Sequence, residues 1–177
     1  MAEVTEDEAT AGHLDPRAMR NAMGVFATGV VVITTSSEGV PYGMTANSLT
    51  SVSLNPPLLL ACFRADSKTS VALQERGAFV VNFLSERQQH ISRIFAQSKE
   101  DPFAHFAAEQ VDGDLPVVPN SLGWTMCEFD SAVTAGDHLV VFGRVVAAFH
   151  REGVPLVFYR GAYHKMSPDG VEAGWFW

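Results

Sequence analysis

Between Gly43 and Thr69 the chain reads GMTANSLTSVSLNPPLLLACFRADSKT, where hydroxyl and amide side chains crowd between apolar segments. Thr45, Asn47, Ser48, Thr50, Ser51, Ser53 and Asn55 recur more densely than a buried strand or a two-residue turn requires, and such a run can offer many neutral donors to one polar ligand. After the apolar residues 57–63 comes Arg64-Ala65-Asp66-Ser67-Lys68-Thr69, the entrance to a helix. Ser67 is a good N-cap, and the free N–H groups of a helix start beside Arg64, Lys68 and the Thr69 hydroxyl make an anion site. Neutral donors followed by a phosphate-type pocket point to a phosphorylated heterocycle. A polar loop over a barrel end and a capped surface helix with exposed cations are the plainer accounts of the same residues.

Other groups fit around that centre. Ser51 and Ser53 alternate with Val52 and Leu54, so they share one face of an extended segment, and Pro56-Pro57 places it at a sheet edge or loop. His138, in Ala135-Gly136-Asp137-His138, opens a strand, where an imidazole can hydrogen-bond a ligand or serve structure alone. Tyr159, Arg160 and Tyr163, followed by His164 and Lys165, offer rings to stack on a base and a guanidinium for a pyrophosphate, or two tyrosines that simply close a barrel. Phe95, Phe103 and Phe106 can wall a pocket or pack. Cys62 and Cys127 each lie in an apolar, strand-like run and read as small buried hydrophobes. No CxxC, HxxxH, HExxH or GxSxG spacing occurs, and no paired carboxylates stand out, so a protein-held zinc site and a serine-hydrolase elbow are not expected.

The elements that must position these residues are mostly strands. Asp15-Pro16 starts a helix whose apolar members Met19, Ala22, Met23 and Phe26 recur at helical spacing. Residues 29–35 (GVVVITT) form a strand that turns at Ser36-Ser37-Glu38-Gly39 into residues 41–45, a hairpin. Residues 58–63 and 79–84 are further buried strands. Between them a helix runs from Ser67 to Arg76 and stops at Gly77. Ser85 and Gln88 make a capping box for the next helix. Residues 101–118 read as a long surface excursion holding a short helix. Strands then return at 125–133, 138–149, 156–159 and 162–166. Six or seven strands with three or four helices, and no strand–helix alternation, favour a mainly β, antiparallel barrel with a few peripheral α-helices over a doubly wound sheet. With no GxGxxG after a strand, a nicotinamide cofactor would not be held by a Rossmann unit.

The 177 residues suit one domain, which we place at 13–177 behind a disordered tail, 1–12. At that length folding buries roughly 70% of the unfolded surface. A net charge of −8 with 12 Lys and Arg argues against nucleic acid or an anionic membrane as partner. The absence of a signal-peptide pattern and of an 18-residue apolar span leaves the cytoplasm as the expected compartment.

Four stretches, AMGVFATGVVVITT from Ala22, GMTANSLTSVSLNPPLLL from Gly43, AGDHLVVFGRVV from Ala135 and PLVFYRGAYHKM from Pro155, occur in the order found in the short-chain NAD(P)H:flavin oxidoreductases. The chain resembles that family over residues 17 to 166. The resemblance implies an FMN-binding split β-barrel of Greek-key type, pairing as a homodimer, that passes hydride from NADH or NADPH to FAD or FMN and supplies reduced flavin to a separate monooxygenase. It places Thr45, Ala46, Asn47 and Ser48 along the flavin ring and Ser51 and Ser53 near the ribityl chain or phosphate. Cys62 joins the cofactor-lining residues, Arg64, Ser67, Lys68 and Thr69 take the phosphate, and Phe95 and Phe103 wall the site. His138, Tyr159, Arg160 and Tyr163 lie toward the nicotinamide. Hydride transfer between stacked rings needs no acid–base residue, so no catalytic side chain is expected. With no Arg-rich pocket for a 2′-phosphate, NADH is favoured over NADPH, while FAD and FMN stay open. A non-catalytic flavin carrier, or a relative acting on pyridoxine phosphate, is the alternative. Trp175-Phe176-Trp177 departs from the family pattern and would suit a subunit contact, a pocket cover or a partner contact.

Overall fold

The computed structural model describes residues 14–97 and 101–166, so the expected N-terminal tail and Trp175-Phe176-Trp177 lie outside the described residues. Asp15 caps helix α1 (Pro16–Gly24), its carboxylate accepting from the Arg17 N–H at 2.9 Å. The apolar face of α1 is present but uncovered: none of its residues is buried, and Phe26 just beyond it is 69% exposed. After the two-residue β1 (Thr28–Gly29), β2 (Val31–Ser37) and β3 (Val40–Ala46) form the expected hairpin through Glu38 and Gly39, both at positive φ.

The hydroxyl-rich stretch, anticipated as a loop, is largely strand. Only Asn47 and Ser48 separate β3 from β4 (Leu49–Leu54), which pairs antiparallel with β5 (Pro57–Arg64). The register shifts between Ser51 and Ser53, which face Leu59 and Leu58 respectively. The extra residue, Val52, makes a bulge that sends the two serines to opposite faces, which corrects the shared face implied by simple alternation.

Helix α2 (Lys68–Arg76) begins at its Ser67 cap and ends at Gly77 in the left-handed conformation, as its sequence requires. β6 (Ala78–Phe83) follows. The Ser85–Gln88 capping box then opens one 3₁₀ turn before α3 (Gln89–Ala96). The expected surface excursion instead turns inward. Beyond a 3₁₀ turn at Pro102–His105, β7 (Glu109–Val111) and β8 (Leu115–Val117) form a hairpin whose Leu115, Val117 and Val118 are buried, because Leu-Pro-Val-Val is apolar enough to pack under β2 and β6. The chain ends its described course with β9 (Gly123–Ala135), β10 (His138–His150), β11 (Val157–Tyr159) and β12 (Ala162–His164).

Seven strands form one antiparallel sheet in the order β3-β2-β6-β9-β10-β5-β4. Its two edge strands, β3 and β4, are consecutive in the chain. A two-residue connection, three Cα steps from Ala46 to Leu49, reaches about 10 Å, so the sheet must curl until its edges come near each other, leaving a barrel split along the β3–β4 seam. Ile33, Phe63, Phe79, Val81 and Val141 are fully buried in its core. Cys127 joins them, and burial pushes its thiol up to about 12. Gly143 lets Phe79 cross β10, since a Cβ there would stand 2.9 Å from the Cys127 Cβ and run into the Phe79 ring. A second cluster, with Val32, Leu84, Phe95 and Leu156, lies between the barrel and α3.

Tyr159 and Tyr163 do not close the barrel. They stand on a separate sheet, β1-β11-β12, clipped onto its outside.

Candidate functional site at the split edge

Along the seam, the polar side chains that sequence reading offered to a ligand are mostly engaged by the protein. The Thr45 hydroxyl donates to the Ser92 carbonyl at 2.6 Å. The Asn47 amide donates to the Thr28 hydroxyl at 3.2 Å. The Ser48 hydroxyl donates to the Cys62 carbonyl at 3.2 Å and accepts from the Cys62 N–H at 3.1 Å. These bonds hold the backbone of Thr45, Ala46, Asn47 and Ser48 in place. Among the described residues β3 and β4 are edges, so backbone donors and acceptors on their outer sides have no strand partner. What these residues present along the edge is backbone, with their side chains as its scaffold.

A cavity of about 700 Å³ opens beside this edge. Asn47, Ser48 and Cys62 line it from one side, and Thr28, Gly29 and Leu156 from the other. Met23 and Phe26 add apolar cover from α1 and the residues after it. Ser51 and Ser53 are absent from its described lining. The Ser53 hydroxyl instead accepts from the Asn55 N–H at 3.2 Å within the β4–β5 turn.

A second cavity of about 690 Å³ lies at the start of α2, lined by Arg64, Ser67, Lys68 and Thr69, with Tyr42 and Phe95 opposite. The Ser67 hydroxyl accepts from the Ser70 N–H at 3.1 Å, the cap that fixes where the helix begins. Arg64 is not free: it makes a two-pronged pair with Asp66, Nε to Oδ1 and Nη2 to Oδ2, each at 3.1 Å. The Arg64 guanidinium holds the Asp66 carboxyl below the usual carboxylate range. Among the described residues no ion pair engages Lys68, so it is the cation at this mouth ready for an anion. Thr69 is buried at 5% exposure on the cavity wall.

Phe95 has two roles that the sequence left as alternatives. Its ring packs edge-on to Phe103 at 5.2 Å and also borders the second cavity. Gly43 permits that approach, because a Cβ there would sit 2.5 Å from the Phe95 ring. Phe103 packs against Phe95 and Phe106 and lines neither cavity.

His138 opens β10 and lines neither cavity. It faces Arg64 across the β10–β5 ladder, and its Nδ1 bonds Asp137 at 2.8 Å. That bond holds the Asp137 carboxyl low. Tyr159, Arg160 and Tyr163 are on the clip. The Arg160 guanidinium lies 5.5 Å from the Tyr159 ring centre, and Tyr163 packs edge-on to Phe158 at 5.4 Å. Sequence reading missed Thr28, Ser92 and Gly43. The available signal for Ser92 was a polar residue on the α3 face that also carries Ile91 and Phe95.

The seam and the sheet order define an antiparallel split barrel with two cavities along its open edge. Residues 23–167 match the family model described as a flavin reductase like domain, and the chain belongs to that family. The reductase subunit of a flavin-dependent monooxygenase from Rhodococcus jostii is 40% identical over 178 residues, 99% of this chain and 91% of its own. An FMN reductase (NADH) from Agrobacterium fabrum is 38% identical over 88% of this chain and 89% of its own. Among solved structures, nitrilotriacetate monooxygenase component B from Mycobacterium thermoresistibile superposes with a TM-score of 0.86 at 37% identity, covering 90% of this chain and 91% of that one. An NADH:FAD oxidoreductase from Streptomyces globisporus, solved with NAD and FAD fragments, gives 0.82 at 32% identity, covering 91% and 100%. The fold and family that the four motifs resemble are those the chain has.

Proposed function

We propose that the protein is an NADH:flavin oxidoreductase that supplies reduced flavin to a separate monooxygenase. The observation that carries this reading is the pairing of an open strand edge, Ala46 to Ser48, with a capped helix start bearing Lys68. The flavin would lay its ring against the edge, beside the first cavity, and its phosphate against the N–H groups of α2, Lys68 and Thr69. The residues present fit that group: unpaired edge amides match the alternating donor and acceptor rim of the ring, and the cation answers the phosphate. When bound, the flavin supplies the hydride-accepting chemistry that protein side chains lack. The chain's part would be to position the flavin and the nicotinamide together and to exclude water with Met23, Phe26 and Leu156, the proximity effect that removes several kcal/mol of barrier.

NADH is the donor favoured here, since no cluster of arginines flanks either cavity to answer a 2′-phosphate. Relatives named for NADH support the same choice. A homodimer fits the surface. Phe26, Met23 and Met19 at α1, Leu54 at 84% exposure on β4, and Val146 and Phe149 on β10 are large apolar side chains left open that a second copy could cover. Among the described residues no helix is long and apolar enough to cross a membrane, and a cytoplasmic setting suits an enzyme that consumes NADH.

Steady-state NADH and NADPH oxidation in air, with FAD and then FMN titrated from zero, tests the reading. Turnover that saturates with added flavin and prefers NADH supports it. Flavin binding without turnover moves the assignment to a carrier. Light scattering on the eluted protein tests the dimer, and a monomer mass at micromolar concentration contradicts it.

A further inference from the structure

The three-stranded clip borders the first cavity opposite the flavin edge through Thr28 and Gly29, with Leu156 just before β11 beside them. On the reading above, a nicotinamide must enter between that edge and the clip, so their separation sets the gap between the two rings. Besides the run of the chain from β1 through Val30 into β2 and the backbone bonds of Leu84 to Val30 and Leu156, two side-chain links join them. One is Asn47 to Thr28. The other runs through Ser92, which shares a 2.7 Å hydrogen bond with the Tyr163 hydroxyl while its carbonyl accepts from Thr45 at 2.6 Å.

Ser92 is fully buried in the middle of α3, on the face that carries Ile91 and Phe95 into the core. Helix stability does not ask for serine there. A buried hydroxyl costs free energy unless it is paired, and alanine is the better helix former. Its partner is 71 residues away, on the clip, with no hydrogen bond to its own helix among those formed by the hydroxyl. Tyr163 is held from two further sides, by Phe158 edge-on at 5.4 Å and by the Arg93 guanidinium at 5.8 Å from its ring centre. One residue of α3 is therefore tied by its carbonyl to the flavin strand and by its hydroxyl to the clip.

We infer that Ser92 is a positioning residue that sets the spacing between the flavin edge and the Tyr163-bearing clip, and so governs how nicotinamide is received. The inference rests on the reductase reading. Its test compares wild type, Ser92→Ala, Tyr163→Phe and the double variant for NADH KM, kcat, FMN Kd and the isotope effect with NADH deuterated at C4. Each single change should raise NADH KM about fivefold to tenfold, the scale of one buried neutral hydrogen bond, with FMN Kd within about twofold. The double variant should be no worse than either single one, and Ser92→Thr should restore wild-type KM. Multiplying effects in the double variant, FMN Kd moving in step with KM, or an unmoved KM in a folded variant would overturn the inference. If Ser92→Ala fails to fold, Tyr163→Phe, which removes one hydroxyl from a half-buried ring, carries the test alone. Absence of wild-type turnover contradicts the reductase reading itself; wild-type turnover with KM unmoved in Tyr163→Phe contradicts the Ser92 inference alone.

Discussion

The two cavities differ in how they are built. The one at α2 is framed by charge and by a capped helix start, with Lys68 the cation there that no ion pair engages among the described residues. The one at the seam is lined mainly by apolar side chains, and its hydroxyls and amide turn back to brace their own backbone. A helix terminus attracts an anion wherever it is exposed, so the first needs little support. A flat ring with a mixed donor and acceptor rim needs a backbone edge held in register, and the seam puts its side chains to that use. The difference predicts that side-chain changes at α2 act on affinity directly, whereas changes at the seam act through geometry.

The largest effect should come from the α2 mouth. Lys68→Ala removes the one cation there with no ion pair among the described residues, and FMN Kd should rise about tenfold to a hundredfold, the range for a charge-assisted bond, with little change in Tm. Isothermal titration reads both FMN and riboflavin. On the wall of the α2 cavity opposite Lys68, Gly43→Ala drives a Cβ into the Phe95 ring and should cost about 1–3 kcal/mol of stability, read by urea unfolding. A native-like midpoint would show that Phe95 moves freely, which would undo its place as a wall.

Alkylation separates the two cysteines. Cys127, buried and with its thiol raised to about 12, should be inert in the native protein. Cys62 lines the first cavity, so it should react, and saturating FMN should slow it severalfold. Equal rates with and without FMN would place the ring elsewhere. A smaller effect is expected from Asp66→Asn, which frees Arg64 and should tighten FMN binding by about two- to fivefold.

The smallest effect concerns pH. Asp114 is held low chiefly by the Ser36 hydroxyl at 2.8 Å, with Arg76 also helping, and this ties the β7–β8 hairpin to β2. A carboxyl whose folded pKa lies below its unfolded value contributes stability above the ordinary carboxylate range and loses it as pH falls through the folded value. Wild type should therefore lose more stability than Asp114→Asn between pH 5 and 3, roughly the window where carboxylates titrate, and parallel acid limbs would refute the tie.

Much of this contrast was legible in the sequence for physical reasons. Ser67, Lys68 and Gly77 signal a helix with a defined start and stop, since capping is local chemistry, and the structure has that helix. The Ser85–Gln88 box was equally local. The seam was harder. Thr45, Asn47 and Ser48 were visible as polar residues, but whether a hydroxyl meets a ligand or a neighbouring strand depends on partners such as Ser92 and Cys62, far along the chain. The bulge at Val52 depends on how β4 registers on β5, which no pattern within β4 reveals. Leu115 to Val118 looked like loop because Gly113 and Pro116 punctuate it, yet the hairpin packs beneath β2 and β6.

The central claim is that phosphate binds at α2 while the ring binds at the seam, and comparing FMN with riboflavin in wild type and Lys68→Ala tests it most directly. The account predicts that wild type prefers FMN by at least about tenfold, and that Lys68→Ala erases most of this preference while riboflavin affinity stays within about twofold. An FMN-to-riboflavin ratio unchanged by the substitution would contradict it.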